Sequence, residues 1–310
     1  MARIAPVFRT RKISATHLVL PNELVLQIAH TAASSSVRAA KALALTCRAL
    51  YDEIDAYRFR AIVIRDPRRV GGLDDFREIK GWRFASQTIQ AFWWDTEISH
   101  LADKKWRAGQ RQLIRGFLRS GSQIRVLGLS AAVIADYAGI MGSLLFVTQV
   151  LLAYDGIYGC VDMRLPFRSL THLVLHAFRE DDWPERIYEC RNLTHLAVTV
   201  TYYDDEDVAD EWATFVLGLI FEVMFDDPIF PRTVPPPPIQ RFLLVLMEDG
   251  EDEGFPHANI YAKALREIDD PRVRIAFDSK PCSWTKDWWL QSAQGYTHLD
   301  VWKGFDPRLF

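Results

Sequence analysis

The rhythm of apolar and polar positions changes near residue 60. Upstream, Pro21 suits the first turn of a helix, Glu23 suits its positive end, and Leu24, Ile28 and Thr31 follow at i, i+4 and i+7. A short helix starting near residue 21 is expected. Ser34 to Ser36 interrupt it and offer a cap to a second helix with an apolar stripe of Ala40, Leu43, Ala44 and Cys47. A third helical segment, from Arg48 to about Phe59, is expected to bury Leu50, Ile54 and Tyr57. Three short helices enclose little core alone, so they must dock on the rest of the chain or on a partner.

Downstream, short strand-like runs share the spacing apolar-x-x-apolar-x-apolar: FRAIVI at 59–64, IQAFWW at 89–94, IRVLGL at 124–129, LTHLVL at 170–175, LTHLAV at 193–198, IQRFLL at 239–244 and YTHLDV at 296–301, with PRVRIAF at 271–277 a degenerate member. Their central residues, Ile62, Phe92, Leu127, Leu173, Leu196, Phe242, Val273 and Leu299, are separated by steps of 30, 35, 46, 23, 46, 31 and 26. The near-copies LTHLVL and LTHLAV set a step of 23, and each step of 46 leaves room for one unrecognised unit. A period of 20 to 29 residues belongs to leucine-rich repeats, in which each strand is followed by a helical or irregular return. The segments 103–121 and 210–225 have the helical spacing of such returns. The expected fold class is therefore α/β, an irregular leucine-rich-repeat-like solenoid with mainly parallel strands over 61–310. It follows a helical module at 18–60 and an N-terminal extension at 1–17.

Period-two alternation places the apolar residues of each hexad on the core side and the intervening ones on an open face. That face would present Trp93, Asp95, His172, His176, His195, Arg241, Arg272, Arg274, Asp300 and Trp302. Aromatic and arginine side chains supply most interface hot spots, so these residues are the candidate contacts for a bound protein.

With 49% hydrophobic and 25% charged residues in 310, the composition is that of a globular protein with a sizeable core. The net charge of -3 conceals an asymmetry: residues 1–120 carry 21 Lys and Arg against 11 Asp and Glu, and the remainder carries 16 against 29. The two parts are expected to face different partners. Cys47, Cys160, Cys190 and Cys282 are far apart and form no C-x-x-C pair, which fits a reducing cytoplasmic or nuclear setting. The basic N-terminus lacks the apolar run of a secretory signal. The uncharged stretch Tyr137 to Tyr154 contains Gly139, Gly142, Ser143, Thr148 and Gln149, and reads as a buried helix rather than a membrane span.

Enzymatic signatures are weak. No H-E-x-x-H, G-x-x-x-x-G-K-[ST] or G-x-G-x-x-G occurs, so metal, nucleotide and dinucleotide chemistry lose their usual marks and no cofactor is expected. Ser130 stands in a G-x-S-x-A arrangement with His298 later in the chain, but no glycine-rich oxyanion loop accompanies it, and Ser130 reads better as a helix cap. His172 and His195 would lie side by side on neighbouring strands, yet no carboxylate completes a metal set in the adjacent turns. Lys104, Arg107, Arg111 and Arg115 are spaced as the solvated face of a helix, and without a nucleic-acid motif no nucleic-acid partner is expected.

The first module resembles an F-box, in particular that of the large fungal families. Leu20, Pro21, Glu23, Leu24 and Ile28 in LPNELVLQI carry the likeness, with Leu43, Leu45, Cys47 and Arg48 in ALALTCRAL. The aromatic residue often found shortly after Cys-Arg is replaced by Ala49-Leu50. The resemblance implies that these residues bind a Skp-type adaptor, and through it a cullin, while the following array holds a protein substrate. The alternative is a stand-alone repeat or α/β protein that binds a small ligand or acts as a hydrolase, its helices only capping the fold.

Overall fold

The computed structural model describes residues 20–64, 71–94, 104–130, 139–153, 167–176, 189–202, 237–248 and 270–278, with single positions at 137, 165, 187, 218, 220, 224 and 268. Helices α1 (Asn22–Ser35), α2 (Val37–Ala44) and α3 (Arg48–Arg58) open the chain, close to the expected bounds. The Ser36 hydroxyl caps α2 by accepting from the Ala39 N–H. Their small core is Ala33, Ala40, Ala44 and Ile54, with Leu43, Leu50 and Tyr57 packed around it.

Strands β1 (Ala61–Ile64), β2 (Ala91–Trp94), β3 (Val126–Ser130), β4 (Gln149–Ala153), β5 (His172–His176), β6 (His195–Tyr202), β7 (Arg241–Glu248) and β8 (Val273–Asp278) follow. They form one sheet in chain order, and every neighbouring pair is parallel. Helix α4 (Gly71–Thr88) lies between β1 and β2 in the chain, and α5 (Lys104–Ser120) between β2 and β3. Positions 218, 220 and 224, between β6 and β7, are helical, with Ile220 and Met224 buried. Helix α4 breaks at Gly81, whose φ of 77° and ψ of 157° suit a residue without a Cβ.

The hexads locate the strands closely. Each of the six from FRAIVI to IQRFLL enters its strand at its third residue, and its first residue is an apolar turn residue: Ile89, Ile124, Leu170, Leu193 and Ile239 are all buried. The central residues align across the sheet as one row of Cα partners, Ile62–Phe92–Leu127–Val150–Leu173–Leu196–Phe242–Val273. All belong to, or pack against, one continuous core with Ile114, Phe117 and Leu118 of α5. Leu299 lies outside the described residues.

Three expectations need correction. The first step of 46 does hide a unit, since β4 places Val150 midway between Leu127 and Leu173, but the second does not, because Leu196 pairs directly with Phe242. The uncharged stretch 137–154 is not one buried helix: residues 139–141 are helical, turns follow, and the run ends in the strand β4. Nor is the second face of the sheet open at its centre, for Leu151, Val174, Ala197, Leu243 and Val245 are buried there. Parallel strands are characteristically covered on both faces, and near-continuous apolar runs such as LVL and LAV match that burial better than alternation. Among the described residues, no helix is long and apolar enough to cross a membrane.

The helical module is joined firmly to the first strands. The buried Asp55 carboxylate accepts from Arg58, one turn on at 2.9 Å, and from Lys80 of α4. The Lys80 ammonium also lies over the rings of Phe59 and Phe84, which cluster with Phe76. Arg60 donates from Nε to Gln90 Oε1 at 2.7 Å and from Nη1 to the Ser34 carbonyl, satisfying an orphan acceptor in the last turn of α1.

Leu196 is fully buried at the middle of the core row. Leu196→Ala should destabilise the fold by about 2 to 5 kcal/mol, read from the shift of the urea midpoint.

Candidate functional site

Helix α1 turns its small side inward and its bulky side outward. Ala29 and Ala33 are buried, whereas Leu20, Leu24 and Ile28 remain 47%, 45% and 60% exposed and Leu45, in the turn after α2, 86% exposed. Val25 and Tyr51 add to the exposed apolar side chains of this module, and Pro21 and Glu23 are exposed beside them. Of the other residues matched to the F-box, Leu43 packs against the inner core, Cys47 is exposed at the start of α3, and exposed Arg48 lies 4.0 Å from Asp52. Helix α1 thus buries its small side chains and leaves large apolar ones exposed, a patch of the kind that marks interaction surfaces.

The second candidate region lies where the strands begin. At each start a carbonyl accepts two consecutive N–H groups of the next strand: Arg125 takes Thr148 and Gln149, Thr148 takes Thr171 and His172, and Thr171 takes Thr194 and His195, all at 2.9–3.0 Å. Side-chain hydroxyls reinforce this ladder. Thr171 Oγ1 donates to the Thr148 carbonyl at 3.0 Å and Thr194 Oγ1 to the Thr171 carbonyl at 3.1 Å. Each hydroxyl also stands 2.8 Å from the Nδ1 of the following histidine, His172 or His195. A hydroxyl has one proton, so when the carbonyl receives it the hydroxyl accepts from an Nδ1–H of the imidazole. The rings stack in parallel, with centroids 4.2 Å apart and planes at 14°.

Gln149, His172, His195 and Arg241 are successive Cα partners across β4 to β7, so they form one polar row on the second face. Gln149 did not stand out in the sequence because β4 itself was hidden. Arg272 is committed elsewhere: it grips Asp270 through Nε and Nη2 and donates from Nη1 to the Ile239 carbonyl at 3.1 Å. This contact raises the arginine and holds the Asp270 carboxyl below its usual range. Arg272 is therefore a clamp between the turn before β8 and the start of β7. Arg274 is exposed, and Arg241 is exposed at the start of its strand.

Trp93, expected on an open face, is only 9% exposed and joins the covered middle of the sheet. For His176, the last residue of β5, only the backbone is described, and Asp95, Asp300 and Trp302 lie outside the described residues. Ser130 ends β3, and the helix it was expected to cap lies outside the described residues. No group of three or more His, Cys, Asp or Glu side chains able to hold a metal occurs among the described residues. Cys190 is buried beside Glu189, and burial first, then that carboxylate, pushes its thiol up to about 12. In comparisons with known proteins, no family model, curated protein or solved structure matches the chain.

The tautomers are directly measurable. Imidazole nitrogen shifts should report Nδ1–H for both His172 and His195 at neutral pH. Thr171→Val should shift the His172 equilibrium toward Nε2–H while leaving His195, held by Thr194, unchanged.

Proposed function

We propose that this protein is the substrate-recognition subunit of a Skp-cullin-F-box ubiquitin ligase. In this reading α1 to α3 bind a Skp-type adaptor, and the sheet that follows is an irregular leucine-rich-repeat-like solenoid that holds a protein substrate. The observation that carries the reading is the outward set of Leu20, Leu24, Ile28 and Leu45. These are among the residues that resemble the F-box, and they are large apolar side chains left largely uncovered while Ala33, Ala40, Ala44 and Ile54 form the module's own core. An amphipathic helix of this kind fits the apolar groove of a partner.

Support for the solenoid comes from the chain-order pairing of parallel strands and from hydroxyl-to-carbonyl bonds at a sequence separation of 23. The contacts of Asp55 and Arg60 favour a second role for the same helices. They tie the module to α4 and to the start of β2, so it also caps the β1 end of the array. Capping uses the inward side and adaptor binding the outward side, and the two roles are compatible. A substrate would meet the polar row of His172, His195 and Arg241 with Arg274 nearby.

Co-expression of the full chain with a Skp-type adaptor should yield a co-purifying complex. Leu24→Ala combined with Ile28→Ala should abolish it, since each anchor at an interface centre contributes on the order of 2 kcal/mol. The unfolding midpoint should move little, because both side chains are already about half exposed. Unchanged capture would refute the adaptor reading. Loss of the fold would show that the two side chains serve the cap alone.

A further inference from the structure

Away from the helices, the large apolar side chains left exposed among the described residues are Leu145 and Phe146, at 61% and 52%. They occupy the turn entering β4, which is held in place rather than loose. The Ser143 hydroxyl donates to the Ile140 carbonyl at 2.6 Å, and Ser169 of the next turn donates to the Leu145 carbonyl at 2.8 Å. Asn192 of the turn after that donates to the Arg168 carbonyl, also at 2.8 Å. Three consecutive turns are thereby stacked, and Leu145, Arg168 and Arg191 occupy equivalent places on them, about one strand spacing of 4.8 Å apart.

Arg168 and Arg191 are exposed, and neither forms an ion pair among the described residues. Exposed Arg125, one strand earlier, adds a third positive charge at the same end of the sheet. Against them the described part of these turns sets one carboxylate, Glu189. The described part of the ridge therefore combines two apolar side chains with an excess of guanidinium groups, whose paired N–H donors suit the two oxygens of a carboxylate.

From this we infer that the ridge of turns at the starts of β4 to β6 binds an acidic peptide segment of a partner protein, seating its apolar side chain on Leu145 and Phe146 and its carboxylates on Arg168 and Arg191. A nucleic-acid strand would want successive exposed aromatic platforms, and among the described residues of these turns Phe146 is exposed while Phe167 is buried. A lipid surface would want deeper apolar insertion than two side chains on a fixed turn provide. The inference stands independently of adaptor binding by the helices.

The test uses the full chain and a fluorescent peptide of about twelve residues, built from Asp and Glu with Leu and Phe at its centre, followed by anisotropy. Binding should weaken with added salt, as exposed charge pairs do. The pair Arg168→Glu with Arg191→Glu, and separately Leu145→Ser with Phe146→Ser, should each weaken it about tenfold or more. All four positions are exposed, so the unfolding midpoint should stay in place, and equal midpoints certify the comparison. A peptide with Lys in place of the acids should not bind. Undiminished affinity in either double variant, no binding of the acidic peptide, or tighter binding of a single-stranded oligonucleotide or of anionic phospholipid vesicles would each overturn the inference.

Discussion

The fold rests on one repeated backbone contact. At each strand start from β2 to β7, the carbonyl just before the preceding strand accepts two consecutive N–H groups of the incoming one, from Arg60 receiving Gln90 and Ala91 through Thr194 receiving Gln240 and Arg241. Parallel strands have no hairpin to set their register, so something else must hold it. Here the starts are pinned, and pinning them brings the row from Ile62 to Val273 into line. A slip of one residue would exchange the two faces. The threonine hydroxyls at 148, 171 and 194 add a side-chain bond to the same carbonyls where the spacing is most regular.

Pinned starts also decide where chemistry is available. The middle of the sheet is apolar on both faces apart from Thr199, whose buried hydroxyl donates to the Leu175 carbonyl, whereas its entry edge carries the histidine pair, the arginines and the apolar turn. Among the described residues, the polar groups thus lie mainly on the rim of the array and on the helices that precede it. Of these, Asp55, Lys80 and Arg60 are spent in holding the helices against α4 and the segment before β2.

Much of this was legible because two signals coincided. Ser36 as a cap and the alanine-rich stripe after it located α2, and the hexad spacing located seven strands with a common register. What escaped did so for physical reasons. Val147, Val150 and Leu152 carry the same spacing as the other hexads, but Thr148 and Gln149 are embedded in eighteen uncharged residues, whose hydropathy suggests a helix as readily as a strand. The burial of Trp93 escaped because alternation was assumed where Val174, Ala197 and Leu243 already argued for apolar cover on both sides. The exposed Leu145 and Phe146 had no pattern to reveal them, because a turn imposes no period on its side chains.

Chain-order pairing has a consequence for how the molecule is made. Each strand finds its partner in the segment synthesised just before it, and no pairing waits for a distant part of the polypeptide. The β5 to β6 match, from Leu173 to Leu196, closes over only 23 residues, and the most separated central pair, Leu196 and Phe242, over 46. Loop-closure entropy grows only slowly with such lengths. As the chain leaves the ribosome, each new strand can therefore add to an edge already in place.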